Sequence, residues 1–222
     1  MSNLGNRLEK VISILESRGI HGAFADIGSD HAFLAIEVIK RGIATQAIAS
    51  DINPLPLEKG RANASEQGAE VEFILSDGLD ALEGRSISAA AICGMGGELI
   101  AKMILRSDLA HECLLVLQPM SAQEELRRTL WDNGFYIEEH FVVENQKPYT
   151  IITAVFNARK SNYDYIDLYL GKERSVTPEF CEYCKKVQAA AEKRRLGLVA
   201  KGLCTEEIDR LIDECQAHIT KI

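Results

Sequence analysis

Residues 24–42 read FADIGSDHAFLAIEVIKRG: an apolar run, a tight turn at Gly28, then a helical pattern of apolar residues. Strand, glycine turn and helix in that order are the layout of a nucleotide-binding fingerprint, whose glycines let the backbone approach a ligand at the helix N-terminus. Two of the three expected glycines are missing. Asp30 and Ala32 stand where the fingerprint or its shorter variant places glycine. Whatever binds at this turn must therefore tolerate a carboxylate.

Working outward, short apolar runs recur between helical patterns: GAFADIG, QAIASDI, VEFILSD, SAAAICG and CLLVLQP. Most carry no polar alternation, as expected of strands covered on both faces of a parallel sheet. Helical segments are expected near 31–41, 54–67, 97–106 and 121–133. This rhythm predicts an α/β, Rossmann-like, doubly wound sheet. Two later runs, FYIEEHFVV and YTIITAVFNA, are separated only by ENQKP, too short for a crossover helix, so an antiparallel pair should finish a mostly parallel seven-stranded sheet.

Beyond residue 160 the pattern changes. From Pro178 the positions Phe180, Cys184, Val187, Ala191 and Leu198 keep helical spacing, with Gly202 as a stop. Thr205 then reads as an N-cap ahead of Ile208, Leu211, Ile212, Cys215 and Ile219. The expected organisation is a core over 1–158 and a small helical hairpin, or coiled-coil, domain over 159–222.

With 46% hydrophobic and 26% charged residues, the 222-residue chain is globular and long enough to bury a proper core. The start MSNLGNRLEKV has no apolar core of signal-peptide length, and no apolar run approaches a membrane span, so a soluble cytoplasmic protein is expected. Six cysteines form no even framework; Cys181 and Cys184 make a CxxC with no second pair, and helix packing is expected of them rather than metal binding. The net charge of −8 opposes general nucleic-acid stickiness, but it is unevenly placed. Residues 1–158 carry 13 Lys and Arg against 22 Asp and Glu, whereas residues 159–222 carry 12 against 11, with KK at 185–186 and KRR at 193–195.

Asp26, Asp51 and Asp77 fall near the C-terminal ends of the first three expected strands, the edge where open α/β sheets bind ligands. A dinucleotide would bring a pyrophosphate against Asp26 and Asp30, which repel it. S-adenosylmethionine brings a cationic amino group and a sulfonium, and suits them. On that reading the turn Gly28–Ser29–Asp30–His31 holds the cofactor, and Asp51 accepts from the ribose hydroxyls. Asp77 meets the adenine amino group, and Gly78 lets the backbone come close. Gly94, Met95 and Gly96 in CGMGGELI form a further backbone approach, while Gln118 and Pro119 close the fifth strand and Tyr149 opens the last.

RLEKV, ADIGSDHAFL, SDGLDAL, CGMGGELI, LQP and KPYTII, in that order over about residues 4–158, resemble the bacterial tRNA adenine-22 N1-methyltransferases. That family joins a class I methyltransferase domain to a C-terminal helical coiled-coil domain. The resemblance implies a tRNA substrate and methylation of adenine N1, whose lone pair needs no prior deprotonation. His31 is then expected to shape the cofactor turn rather than act as a base. Met95, Pro119 and Tyr149 are candidate walls for the target base, and Gln118 is a candidate hydrogen-bond partner. Three readings remain as alternatives: a methyltransferase of a small molecule or protein, a non-catalytic S-adenosylmethionine-binding module, and a dinucleotide-binding protein.

Overall fold

The computed structural model of the protein describes residues 4–174 and 176–220. The outer limits of both expected domains, residues 1 and 222, lie outside the described residues.

Seven strands form one sheet in the order β3-β2-β1-β4-β5-β7-β6. They are β1 (Ala23–Ile27), β2 (Gln46–Asp51), β3 (Glu72–Leu75), β4 (Ile87–Gly96), β5 (Leu114–Ser121), β6 (Phe135–Glu144) and β7 (Lys147–Phe156). The first five are parallel, and β7 inserts antiparallel between β5 and β6. The β6–β7 connection is a two-residue turn in which Asn145 and Gln146 both adopt left-handed φ of 49° and 61°, the twist that matches a hairpin.

Helices α1 (Asn6–Ser17), α2 (Phe33–Lys40) and α3 (Pro54–Gln67) cover one face of the sheet, and α4 (Gly97–Leu105) and α5 (Gln123–Asp132) the other. The alanine-rich β4 shows why its sequence lacks polar alternation: Ala89 and Ala91 pack with Leu15, Leu34 and Ile36 on one side, and Ala90 and Ile92 pack with Ile100, Leu126 and Trp131 on the other. β3 differs because it is the sheet edge, and its residues are half-buried or exposed. The expected helix at 54–67 has those bounds, whereas α5 starts two residues later than expected because Ser121 stays in β5 and Ala122 turns the chain at φ 51°.

The C-terminal segment holds a short helix, α6 (Tyr165–Leu170), then α7 (Pro178–Ala200) and α8 (Glu206–Ile219). Thr177 Oγ1 accepts from Phe180 N at 3.2 Å to cap α7, and Gly202 at φ 66° follows its end. Phe180, Cys184, Ile208, Leu211 and Cys215 bury the stripes of α7 and α8 on each other. Cys181 and Cys184 are both buried in the helix packing.

This unit is docked on the core. Phe141 of β6 packs on Phe180 and Tyr183, with ring centroids 4.8 and 5.0 Å apart. Fully buried Arg127 of α5 donates to Glu139 Oε2 at 2.6 Å, to the carbonyls of Leu168 and Tyr169 at 2.7 and 3.0 Å, and to Tyr183 Oη at 3.2 Å. A desolvated guanidinium requires this number of acceptors, and those it finds belong to both parts of the chain.

Candidate functional site

The C-terminal ends of the parallel strands assemble the site. Gly28 leaves β1 at φ 72°, and the amides of Gly28 and Ser29 donate to Ser50 O at 2.8 and 3.0 Å, tying the turn to the end of β2. A Cβ on Gly28 would strike the Met95 methyl group, so Met95 from the fourth strand lies against the first turn. Asp26 lies beneath, 7% exposed, and Ser29 Oγ donates to its Oδ2 at 2.7 Å. Burial pushes the Asp26 carboxyl up to about 6, against the opposing hydrogen bond from Ser29. Asp30 points outward, 3.2 Å from His31 Nε2 and 3.9 Å from Lys59 Nζ, and His31 stacks on Phe33 at 5.1 Å. Ala32 takes a left-handed φ of 55° and packs beneath α3, where a Cβ on Gly60 would come within 3.1 Å of the Ala32 Cβ.

At the next strand end, Asp51 Oδ1 accepts from Asn53 N at 2.7 Å, and Asp51 O accepts from Ser76 N at 2.9 Å. The Asp51 carboxylate is thus held by its own turn. The neighbouring Ser50 Oγ is buried and has no partner within the described chain. Asp77 is exposed and pairs with Arg106 at 2.8 Å. Arg106 also donates to Asp77 O at 2.6 Å and pairs with Asp80 at 3.0 Å, and its hydrogen bond holds the Asp77 carboxyl below the usual range. A Cβ on Gly78 would lie 2.9 Å from Met103 Cγ and 3.2 Å from Arg106 Nη2, so the chain passes close under α4 there.

At the end of β4, Gly94 adopts φ 80° and faces open space, whereas a Cβ on Gly96 would lie 3.4 Å from Ser121 Oγ. Gly97 is required for packing, since a Cβ would strike Ala122 O. Gly94 leaves room for a ligand, and Gly96 meets Ser121 only at ordinary contact distance.

Gln118 pairs with Cys93, and Pro119 with Met95, across β4 and β5. Gln118 is 1% exposed, and its Oε1 accepts from Arg7 Nη1 at 2.7 Å. Arg7 also donates from Nε and its backbone N to Glu144, both at 3.0 Å, and its guanidinium sits 4.9 Å from the Tyr149 ring centroid. Lys186 of α7 lies 6.0 Å from the same ring. Lys186 belongs to the KK pair at 185–186, whereas Arg7, Glu144 and Arg106 are not among the expected site residues. Of the latter, only Arg7 had a visible signal, in the RLEKV motif at the head of α1.

A doubly wound sheet finished by an antiparallel β7, with carboxylates at three successive strand ends and a glycine opening after the fourth strand, defines a class I methyltransferase. Residues 4–152 match the family model described as "Methyltransferase domain". The chain is 30% identical over 173 residues to the tRNA (adenine(22)-N(1))-methyltransferase of Bacillus subtilis (strain 168), covering 76% of this chain and 71% of that protein. Within the methyltransferases, it belongs to that family. A Streptococcus pneumoniae protein, Sp1610, a proposed tRNA (m1A22) methyltransferase solved in complex with S-adenosyl-L-methionine, is 30% identical with a TM-score of 0.76, over 95% of this chain and 98% of that one. M. capricolum TrmK, solved with S-adenosyl-homocysteine, shares the fold at 22% identity and a TM-score of 0.81, over 98% of each chain.

Proposed function

We propose that the protein methylates N1 of adenine 22 in tRNA, with S-adenosylmethionine held along the strand ends. The observation that carries this is the separation of charge at the site. Carboxylates line the ends of β1, β2 and β3, while Lys186 and Arg7, the latter paired with Glu144, flank Tyr149 near the start of β7. A cationic cofactor fits the first group, and a polyanion fits the second.

S-adenosylmethionine, when bound, supplies an electrophilic methyl group on a sulfonium. Asp26, Gly28, Ser29, Asp30 and His31 form its first turn, Asp51 accepts from the ribose, and Asp77 with Gly78 faces the adenine end. Gly94, Met95 and Gly96 border the reacting side. The unpartnered Ser50 Oγ and the open face of Gly94 are features such a ligand would use. On the substrate side, Gln118, Pro119 and Tyr149 border the target base. Adenine N1 carries a free lone pair in the neutral base, so it would take the methyl group as the carbon–sulfur bond breaks and the thioether leaves; the chain's part is positioning, and no general base is required. His31, on the cofactor side beside Asp30, shapes the turn. N1 lies on the Watson–Crick edge, so a paired target must be turned out before reaction.

The core, 1–158, carries cofactor and chemistry, and the helices of 159–222 grip the RNA in the cytoplasm. The test is incubation with isotopically labelled S-adenosylmethionine and unmodified tRNA, followed by mass-spectrometric mapping of the product. One methyl group as 1-methyladenosine at position 22 is expected; absence of label from tRNA, or label on another atom, overturns the proposal.

A further inference from the structure

A cavity of about 400 Å³ lies between the β5–α5 junction, residues 120–124, and the three C-terminal helices. Its volume is in the range of small-ligand sites. Two rings, Tyr165 and Tyr169, stand 5.0 Å apart in its wall, and Arg194 Nη1 donates to their hydroxyls at 3.3 and 2.6 Å. Lys186 adds a second cation, Glu124 one carboxylate, and α8 an apolar floor. Aromatic faces beside cations suit a flat base joined to a phosphate. The cationic run of α7 divides accordingly. Lys185 pairs with Glu182 at 2.6 Å and Arg195 pairs with Asp209, whereas Lys186 and Arg194 face the cavity.

Two lining residues, Lys186 and Met120, also touch residues on the base side of the site. Lys186 Nζ donates to Pro148 O at 3.4 Å, next to Tyr149. Met120, in the cavity wall, follows Pro119, and its sulfur takes contacts from Arg7 Nη1 at 3.6 Å and Gln118 Nε2 at 3.5 Å. A base turned out at Tyr149 leaves a neighbour that has lost a stacking partner.

Resting on the proposal that the protein methylates tRNA, we infer that this cavity binds an unpaired nucleotide flanking the target adenosine, its base against Tyr165 and Tyr169 and its phosphate at Arg194 and Lys186. The test is a cycle between protein and RNA. Wild-type protein and Tyr165→Leu are each assayed on intact tRNA and on tRNAs made abasic at one or the other nucleotide flanking adenine 22. One abasic tRNA should lower wild-type kcat/KM by roughly 5- to 150-fold, the span of one lost base–aromatic stack. Tyr165→Leu should lose a similar factor on intact tRNA and little more on that abasic tRNA, with S-adenosylmethionine affinity unchanged. Arg194→Gln carries the same cycle should Tyr165→Leu fail to fold, and should also reduce the salt slope of tRNA binding by about one. Losses that multiply independently, or variants equal to wild type on intact tRNA, overturn the cavity assignment alone. Failure of the wild-type protein to methylate intact tRNA overturns the functional proposal and this inference with it.

Discussion

Arg7 Nη1 donates to Gln118 Oε1 at 2.7 Å, joining the first turn of α1 to the end of the fifth strand. The bond fixes the orientation of the Gln118 amide, leaving its Nε2 to meet Pro119 O at 3.2 Å. Truncating Arg7→Ala strands a buried amide oxygen and the Glu144 carboxylate, and takes a cation off Tyr149. The expected result is a loss of about 1–3 kcal/mol in single-turnover methylation at saturating cofactor, with cofactor affinity unchanged by calorimetry. Arg7→Lys should recover only part of the rate, because a point charge cannot reproduce the fork.

Asp26 titrates in an informative range. Its carboxyl is raised from 3.8 to about 6 by burial, so the folded state binds this proton more tightly than the unfolded state. Stability from this group is therefore greatest below pH 4 and falls as pH rises to about 6, by roughly 3 kcal/mol. Asp26→Asn should raise the melting temperature at pH 7 and have little effect at pH 4. Cofactor binding should respond in the opposite sense, since a cationic ligand is drawn to the ionised form. Affinity for S-adenosylmethionine should weaken below pH 6 and be weak in Asp26→Asn; an affinity independent of pH from 5 to 7 would exclude Asp26 from the cofactor site.

Asp51 and Asp77 differ in their surroundings and should differ in mutation. Asp51→Ala is expected to weaken cofactor binding by about 1–3 kcal/mol, the consequence of leaving ribose hydroxyls without an acceptor. Asp77→Ala should weaken binding while leaving thermal stability nearly unchanged, because its partner Arg106 is itself exposed. Calorimetric titration of both variants decides this, and unchanged affinity in both would remove these carboxylates from the cofactor site.

Arg127 makes residues 159–222 a structural part of the enzyme. Its side chain is 0% exposed and that of Glu139 4%, so Arg127→Ala leaves a buried carboxylate unpaired and should destabilise the fold by about 3–5 kcal/mol. Arg127→Met combined with Glu139→Leu should recover much of that loss, as measured by denaturant unfolding. Truncation after residue 158 removes Tyr183 and the carbonyls that Arg127 requires, so the remaining core is expected to melt well below the full chain.

The local and sequential features of the protein are legible in its sequence. Unbroken apolar runs identify strands covered on both faces, the helical pattern over 54–67 is α3, and a connection too short for a crossover helix requires β6 and β7 to be antiparallel. The carboxylates at three strand ends follow from the same reading, because strand periodicity and chain order suffice to put Asp26, Asp51 and Asp77 on one edge. The tertiary structure alone decided which distant groups meet there: Arg7 with Gln118, Arg106 with Asp77, Met95 over Gly28, and Lys186 and Arg194 around one cavity. It also put β7 between β5 and β6, and brought Met103 against Gly78. The physical reason is range. Helix periodicity, strand alternation and turn chemistry act over a few residues and are written in neighbouring side chains, whereas a buried guanidinium or amide takes whichever acceptor the packed sheet brings within 3 Å, often more than a hundred residues away.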